Sequence, residues 1–339
     1  MKNHAVKFLL LAAVFVAVFF SRTMYPQFWG VAGAGAGQGT GAGGRGAGTA
    51  AGASAGGTAS EVPLFRMPPV AVSAAGGEGI AASAPEAAAA TDSAGNGTPP
   101  PALTDAASLV MDLGTGAVAE AKNPGLRWPT ASLAKLMSAT IIFDKIPTST
   151  DITITNQMFA ADPDERNLIV GGRYTVEDLL HLMLMPSSNV AAQANADFYG
   201  LDAFLNEMNA RAAEWGMADT HYDDPSGISA GDESTVSDLA KLAQVIYARY
   251  PGIFAISDTP AFYLTNLNTG ARKLVRSINA FAGTPDFIGG KTGYTDQADQ
   301  NLLTVFRYRG SPVLIIVLGS HQRFADTMAL FNWFKENFK

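Results

Sequence analysis

The chain contains no cysteine, which excludes disulfides and thiol catalysis while leaving the compartment to other features. Histidine is scarce too. Beyond residue 102 only His181, His221 and His321 occur. They show no i,i+4 pair and no adjacent carboxylate pattern typical of zinc ligation, so no metal and no cofactor is expected. Positive charge is also short. Of 23 basic and 30 acidic residues, five and four fall in residues 1–102, leaving 18 against 26 and a net charge of −8 for the rest. An acidic domain with no Lys/Arg cluster argues against nucleic acid as a partner.

What is present is unevenly distributed. Residues 30–57 hold 13 of the 35 glycines, mixed mostly with alanine, and a second Ala/Gly/Ser/Pro stretch runs from about 72 to 101. Such segments lack the large apolar side chains needed to offset ordering entropy, so residues 30–102 are expected to be a disordered linker. Before it, Lys2 and Lys7 precede an unbroken apolar run from Phe8 to Phe20. Thirteen residues of helix span roughly 20 Å, short of a ~30 Å hydrocarbon core, as in a signal peptide. Against that, Tyr25, Phe28 and Trp29 form an interfacial belt, and the nearest small-x-small site, Ala32-Gly33-Ala34, lies far past the apolar core. The balance favours residues 1–29 as an uncleaved membrane anchor. Either reading exports the remainder, on a tether whose root-mean-square reach is on the order of 45 Å.

Residues 103–339 have the composition of one globular domain. Segments 108–113 and 117–121 read as a hairpin closed at Gly114-Thr115-Gly116. Apolar residues at helical spacing predict helices over 132–145 and 175–185, the second stopped by Pro186, then others from 188, over 201–215 and over 237–250. Strands are expected at 286–294, 301–308 and 313–319, with a closing helix over 323–338. Strands at both ends with helices between them imply an α/β (α+β) fold, one sheet built from both ends of the domain and packed against a helical lobe.

Three short motifs carry chemistry. In Ser132-Leu133-Ala134-Lys135 the serine opens a helix, where free N–H groups favour negative charge. The lysine three residues on shares its face, and burial among Leu133, Leu136 and Met137 would lower its proton affinity. Ser187-Ser188-Asn189 follows Pro186 in the break between two helices, where a plain helix cap is the competing explanation. Lys291-Thr292-Gly293 lies in a strand, where a cation, a hydroxyl and a glycine suit a substrate lying along the strand edge. Gly289-Gly290 just before it would weaken a purely structural strand, and a functional reason is expected ahead of a bulge. Ser-x-x-Lys, then Ser-x-Asn 55 residues later, then Lys-Thr-Gly about a hundred further on is the ordered set known from β-lactamases and penicillin-binding proteins.

With Pro129-Thr130-Ala131-Ser132-Leu133-Ala134-Lys135, Asp224-Pro225-Ser226-Gly227, Gly290-Lys291-Thr292-Gly293-Tyr294-Thr295 and the strand 313–319, residues 103–339 resemble the low-molecular-mass penicillin-binding proteins, specifically the serine D-alanyl-D-alanine carboxypeptidases. The resemblance implies the antiparallel sheet and helical lobe of those enzymes and of serine β-lactamases. It implies Ser132 as nucleophile, Lys135 as its base, Ser187 as proton relay and Asn189 as a holder of Lys135 and the substrate amide. Lys291 and Thr292 would bind the terminal carboxylate, with Gly293 admitting the substrate. The N–H groups of Ser132 and Tyr294 would form the oxyanion hole, and Arg323 would add a second charge for the carboxylate. Implied partners are a peptidoglycan stem peptide, β-lactams as covalent inhibitors and the membrane through the N-terminal segment, which places the enzyme outside the cytoplasm.

The chain departs from the family where an aspartate commonly follows the Ser-x-Asn motif; Val190 stands there. Relatives often add a C-terminal β-rich domain and a terminal membrane helix, whereas this sequence stops after the last core helix, so the tether is expected at the N-terminus. No Glu-x-x-Leu-Asn follows the second motif, which argues against fast β-lactam hydrolysis. The runner-up is a D,D-endopeptidase acting on cross-links with the same residues, and a non-catalytic wall-binding module is the remaining alternative.

Overall fold

The computed structural model describes residues 97–338. The expected anchor and all of the linker before residue 97 lie outside them. Among the described residues no helix is long and apolar enough to cross a membrane.

The domain opens with β1 (Ala107–Asp112), β2 (Val118–Lys122) and the short β3 (Trp128–Pro129). A single 3-10 turn, Ala131–Leu133, leads into α1 (Ala134–Lys145). Then come β4 (Asp151–Thr153), β5 (Arg173–Thr175), α2 (Val176–Leu184), α3 (Asn189–Tyr199) and α4 (Leu201–Glu214). β6 (Glu233–Ser234), α5 (Val236–Arg249), α6 (Pro251–Asp258), β7 (Ala261–Thr265) and β8 (Arg272–Arg276) follow. The chain closes with β9 (Phe287–Thr295), β10 (Asp299–Tyr308), β11 (Ser311–Ser320) and α7 (Arg323–Asn337).

The main sheet has the order β2-β1-β11-β10-β9 and is antiparallel throughout, joining the two ends of the domain as the sequence implied. β11 explains why. Its run from Val313 to Leu318 is apolar on both faces. Leu314, Ile316 and Leu318 join the large core with the helices, while Val313, Ile315 and Val317 pack on Leu330, Phe331 and Phe334 of α7. A strand buried on both sides loses the polar alternation of a half-buried one. The chain ahead of the sheet also rests on α7, where Trp333 Nε1 donates to Thr98 O at 2.8 Å.

Some local expectations gave way. The helix expected to begin at Ser132 starts at Ala134, with Ser132 in the 3-10 turn before it. Pro251 breaks the chain after α5 but opens α6 as its first residue, a position where the missing N–H costs nothing. The β7–β8 hairpin was not foreseen, because Arg272-Lys273-Leu274-Val275-Arg276 carries too much charge to read as a strand. Gly289 and Gly290 have a packing and bulge explanation. An added Cβ on Gly289 would lie 2.5 Å from Phe254 Cβ of α6, and one on Gly290 would lie 2.3 Å from Leu303 O. The pairing register skips Ile288 between Phe287↔Phe306 and Gly289↔Val305. The two glycines let α6 lie directly on a bulged edge strand.

Candidate active site

Ser132 sits between two rigid walls. Behind it is α1, and beside it is β9, the edge strand of the sheet, whose outer edge pairs with no further strand among the described residues. Gly293 allows that approach, since a Cβ there would come within 3.1 Å of Thr130 O and 3.2 Å of Ala131 Cβ. The residue before the nucleophile, Ala131, has φ of +47°. That left-handed conformation costs a non-glycine residue about 1–2 kcal/mol, so its surroundings must impose it.

Lys135 is fully buried. Its Nζ lies 2.8 Å from Ser132 Oγ, 2.6 Å from Asn189 Oδ1 and 2.8 Å from the carbonyl oxygen of Ser226. Burial lowers its pKa to about 7, against the opposing pull of the Asp224, Asp162 and Asp232 carboxylates. The partner set fits a neutral amine. Asn189 Oδ1 and Ser226 O only accept, which uses both amine protons, and the nitrogen lone pair is left for the one partner that can donate, the Ser132 hydroxyl.

The second and third motifs meet next to this cluster. Lys291 Nζ donates to Ser187 Oγ and to Thr292 O, each at 2.8 Å. Burial, then the nearby charges of Lys135 and Arg323, hold the Lys291 amine well below its ordinary value. Ser187 is itself strained, at φ +68°, which turns its hydroxyl towards β9 instead of continuing the helix break. Ser188 caps α3, accepting from Ala191 N at 3.1 Å. Thr292 is buried, whereas Tyr294 is exposed and its hydroxyl donates to Asp296 Oδ1 at 3.1 Å. Arg323 is half-buried, and its Nη1 donates to the Gly293 carbonyl at 2.7 Å. Its burial lowers its pKa.

The family model for D-alanyl-D-alanine carboxypeptidases matches residues 94–322. The chain belongs to that family. The peptidase is 35% identical over 245 residues to a D-alanyl-D-alanine endopeptidase of Pseudomonas aeruginosa, covering 68% of this chain and 77% of that protein. It is 31% identical over 262 residues to a D-alanyl-D-alanine endopeptidase of Escherichia coli, covering 74% and 83%. The solved structure of a D-alanyl-D-alanine carboxypeptidase from Mycobacterium tuberculosis superposes with a TM-score of 0.66 at 25% identity, over 71% of this chain and 94% of that one.

Sequence reading of the peptidase assigned no role to the groups that hold its motifs in place, although Asp224 stood in one of the quoted family motifs. Asn301, fully buried on β10, donates through Nδ2 to Pro129 O at 2.8 Å and Thr130 O at 3.1 Å, and its Oδ1 accepts from Gly319 N at 2.9 Å. The Asp224 carboxylate gathers the loop that supplies the Ser226 carbonyl, accepting from the Ser226 hydroxyl and from the amides of Ser226, Gly227 and Ser229. Burial pushes that carboxyl up, but those bonds outweigh it and hold Asp224 below the usual range. Burial, with Asp224 beside it, pushes Asp232 up to about 8. The Asp232 Oδ1 accepts from the amides of Asp223 and Asp224. Glu165, from the segment between β4 and β5, accepts from the Ser188 hydroxyl. The only sequence signal for Asn301 was an amide at the head of an otherwise apolar strand.

Asn301→Leu tests this support. It strips two carbonyls and one amide of their partner in a dry site, so unfolding stability should fall by about 2–4 kcal/mol. Penicillin acylation of Ser132 should slow as the turn relaxes. A variant as stable and as fast as the parent would mean that the turn holds itself.

Proposed function

We propose that the chain is a serine D,D-carboxypeptidase that removes the terminal D-alanine from peptidoglycan stem peptides through an acyl-enzyme on Ser132. The observation that carries this reading is the buried, near-neutral Lys135 amine directed at the Ser132 hydroxyl. Lys135 takes the hydroxyl proton as Oγ attacks the carbonyl between the last two D-alanines. The carbonyl oxygen gains charge towards the N–H groups of Ser132 and Tyr294, a class of contact worth about 3–4 kcal/mol in the transition state. When the C–N bond breaks, the departing amine needs a proton. Ser187, which accepts a hydrogen bond from Lys291, supplies a relay. Water then cleaves the ester, with Lys135 again the base.

The open edge of β9 suits an extended peptide added as a further strand. Lys291, Thr292 and Arg323 at that edge suit the terminal carboxylate, and Asn189 suits the substrate amide while it holds Lys135. β-Lactams, which present a reactive amide beside a carboxylate, would acylate Ser132 in the same way. The family acts on the cell wall, which supports work outside the cytoplasm, with the N-terminal segment as the membrane tether. A second reading, D,D-endopeptidase, is favoured by the two relatives described above at 35% and 31% identity, both named endopeptidases.

The test has two stages. Fluorescent penicillin should leave one stable adduct on Ser132, absent in Ser132→Ala; no adduct on folded protein would end the enzyme reading. Pentapeptide monomers and cross-linked dimers are then offered separately. Release of free D-alanine from the monomer supports the carboxypeptidase, and conversion of dimer to monomers alone supports the endopeptidase. The pH dependence follows from Lys135. Its active form is the deprotonated one, so acylation should climb as pH rises through about 7 and level above it. A flat profile between about pH 5 and 9 would point to another base.

A further inference from the structure

The β7–β8 ribbon has one face in the core and one in solvent. Its register pairs Tyr263 with Leu274, Ala261 with Arg276 and Thr265 with Arg272. With a period of two, those six residues share a face. The opposite face buries Leu264 and Val275 and sets Phe262 5.0 Å from the His181 ring. The outer face is unusual for a solvated one. Tyr263 is 55% and Leu274 43% exposed, with exposed Arg272 and Arg276 on either side of Leu274. The Arg272 guanidinium lies 4.5 Å over the Tyr263 ring. The face carries no carboxylate, and neither arginine is in an ion pair among the described residues. Arg272, Lys273 and Arg276 fall within five consecutive residues, and the ribbon sets the two arginines unpaired on one face of a domain of net charge −8.

The ribbon is continuous with the active site. Just past β8, Ile278 is half exposed and its N donates to the carbonyl of Met185, two residues before Ser187, at 3.2 Å. From the other side of the ribbon, Lys273 Nζ donates to Arg166 O at 2.6 Å, next to Glu165, which accepts from Ser188. Both contacts tie the ribbon to segments holding the second motif.

We propose that this outer face is a subsite for the acidic, carboxylate-bearing stretch of a peptide substrate whose scissile end lies at Ser132. The proposal rests on the peptidase reading above. Arginine forks bind carboxylates in bidentate fashion, and tyrosine and arginine are the residues enriched where surfaces bind partners. Arg272 and Arg276, four residues apart on one strand, have backbones about 13 Å from each other, the spacing of two acidic residues placed four apart on an extended peptide. A substrate reduced to the terminal dipeptide, or a penicillin, would not reach them.

The test uses the full chain and the double variant Arg272→Glu/Arg276→Glu. Both are given two acyl-D-Ala-D-Ala peptides, one with neutral side chains and one extended with two free carboxylates. On the acidic peptide, kcat/KM should fall on the order of tenfold in the double variant, a size set by two exposed charge pairs. The neutral peptide and the penicillin acylation rate should stay within about twofold of the parent. The parent's preference for the acidic peptide should fade between ~0.05 and ~0.5 M salt. Arg307→Glu, an exposed arginine on β10, should leave all three unchanged. Equal cleavage of both peptides by the parent, or equal loss on both in the double variant, would overturn the subsite. So would a double variant that loses only binding to anionic vesicles. If the parent fails to label with penicillin, the enzymatic reading falls. Titration of the acidic peptide against Ser132→Ala, with and without the two arginine substitutions, then still decides the subsite.

Discussion

Lys135→Met should slow acylation of Ser132 by fluorescent penicillin about a thousandfold. The figure follows from what the amine is placed to do. Positioned proton transfer contributes roughly 10²–10⁴ in rate, and Lys135 Nζ lies 2.8 Å from Ser132 Oγ, the one basic side chain bonded to it among the described residues. Folding should survive, because the amine is near-neutral and its removal strands no opposite charge. The cost is two lost acceptor bonds, at Asn189 Oδ1 and Ser226 O, about 1–3 kcal/mol in all. Lys135→Arg sharpens the test. A guanidinium keeps the charge and the donors but is never deprotonated at working pH. It should therefore be inactive across the whole pH range over which the parent gains activity. Stopped-flow acylation beside thermal unfolding separates the two effects. If either variant acylated within tenfold of the parent, Lys135 would not be the base.

Gly227→Ala should damage the enzyme nearly as much, although Gly227 has no side chain to contribute. Its φ is +85°, and an added Cβ would lie 1.8 Å from Ala131 O. Neither wall has room to retreat. Ala131 belongs to the strained turn that Asn301 clamps through the neighbouring carbonyls. Gly227 N is held by Asp224 Oδ1 at 2.8 Å, in the loop whose Ser226 carbonyl binds Lys135. Relief must displace the nucleophile, the base or both. The left-handed backbone alone costs about 1 kcal/mol, and the overlap should bring the loss to about 3 kcal/mol or more. Acylation should drop on the order of a hundredfold, as expected when reacting groups shift by about an ångström. Gly216→Ala is the control. It has φ of +70° but nothing within 4 Å of the added atom, so it should show the backbone cost with acylation unchanged. A Gly227→Ala enzyme no worse than Gly216→Ala would mean the loop and turn move freely.

Legibility in the sequence divided along the distance between interacting residues. The Ser132–Lys135 pair was readable because a spacing of three puts both on one side of a helical turn, wherever the helix sits. β11 was readable because six consecutive branched or aliphatic residues have no stable place except a strand buried on both faces. Gly289-Gly290 showed as an oddity but pointed the wrong way, since nothing local reveals that Phe254 of α6 lies against the strand. The β7–β8 hairpin was hidden for a related reason. Its outer face is meant for something other than the core, so its pattern of charge and apolar residues matches no buried-strand template.

The sequence by itself determined which chemical groups are present, their order along the chain and the short-range geometry of each motif, because bond lengths and helical or strand repeats dictate what neighbours can share. Tertiary structure alone decided that Lys135 meets Asn189, 54 residues away, and the Ser226 carbonyl, 91 away. It also decided that Lys291 meets Ser187 across 104 residues. The change in Lys135 from an ordinary cation to a near-neutral base belongs to the same level. Desolvation is a property of everything packed around a group, and no run of neighbours in the chain encloses an amine on all sides.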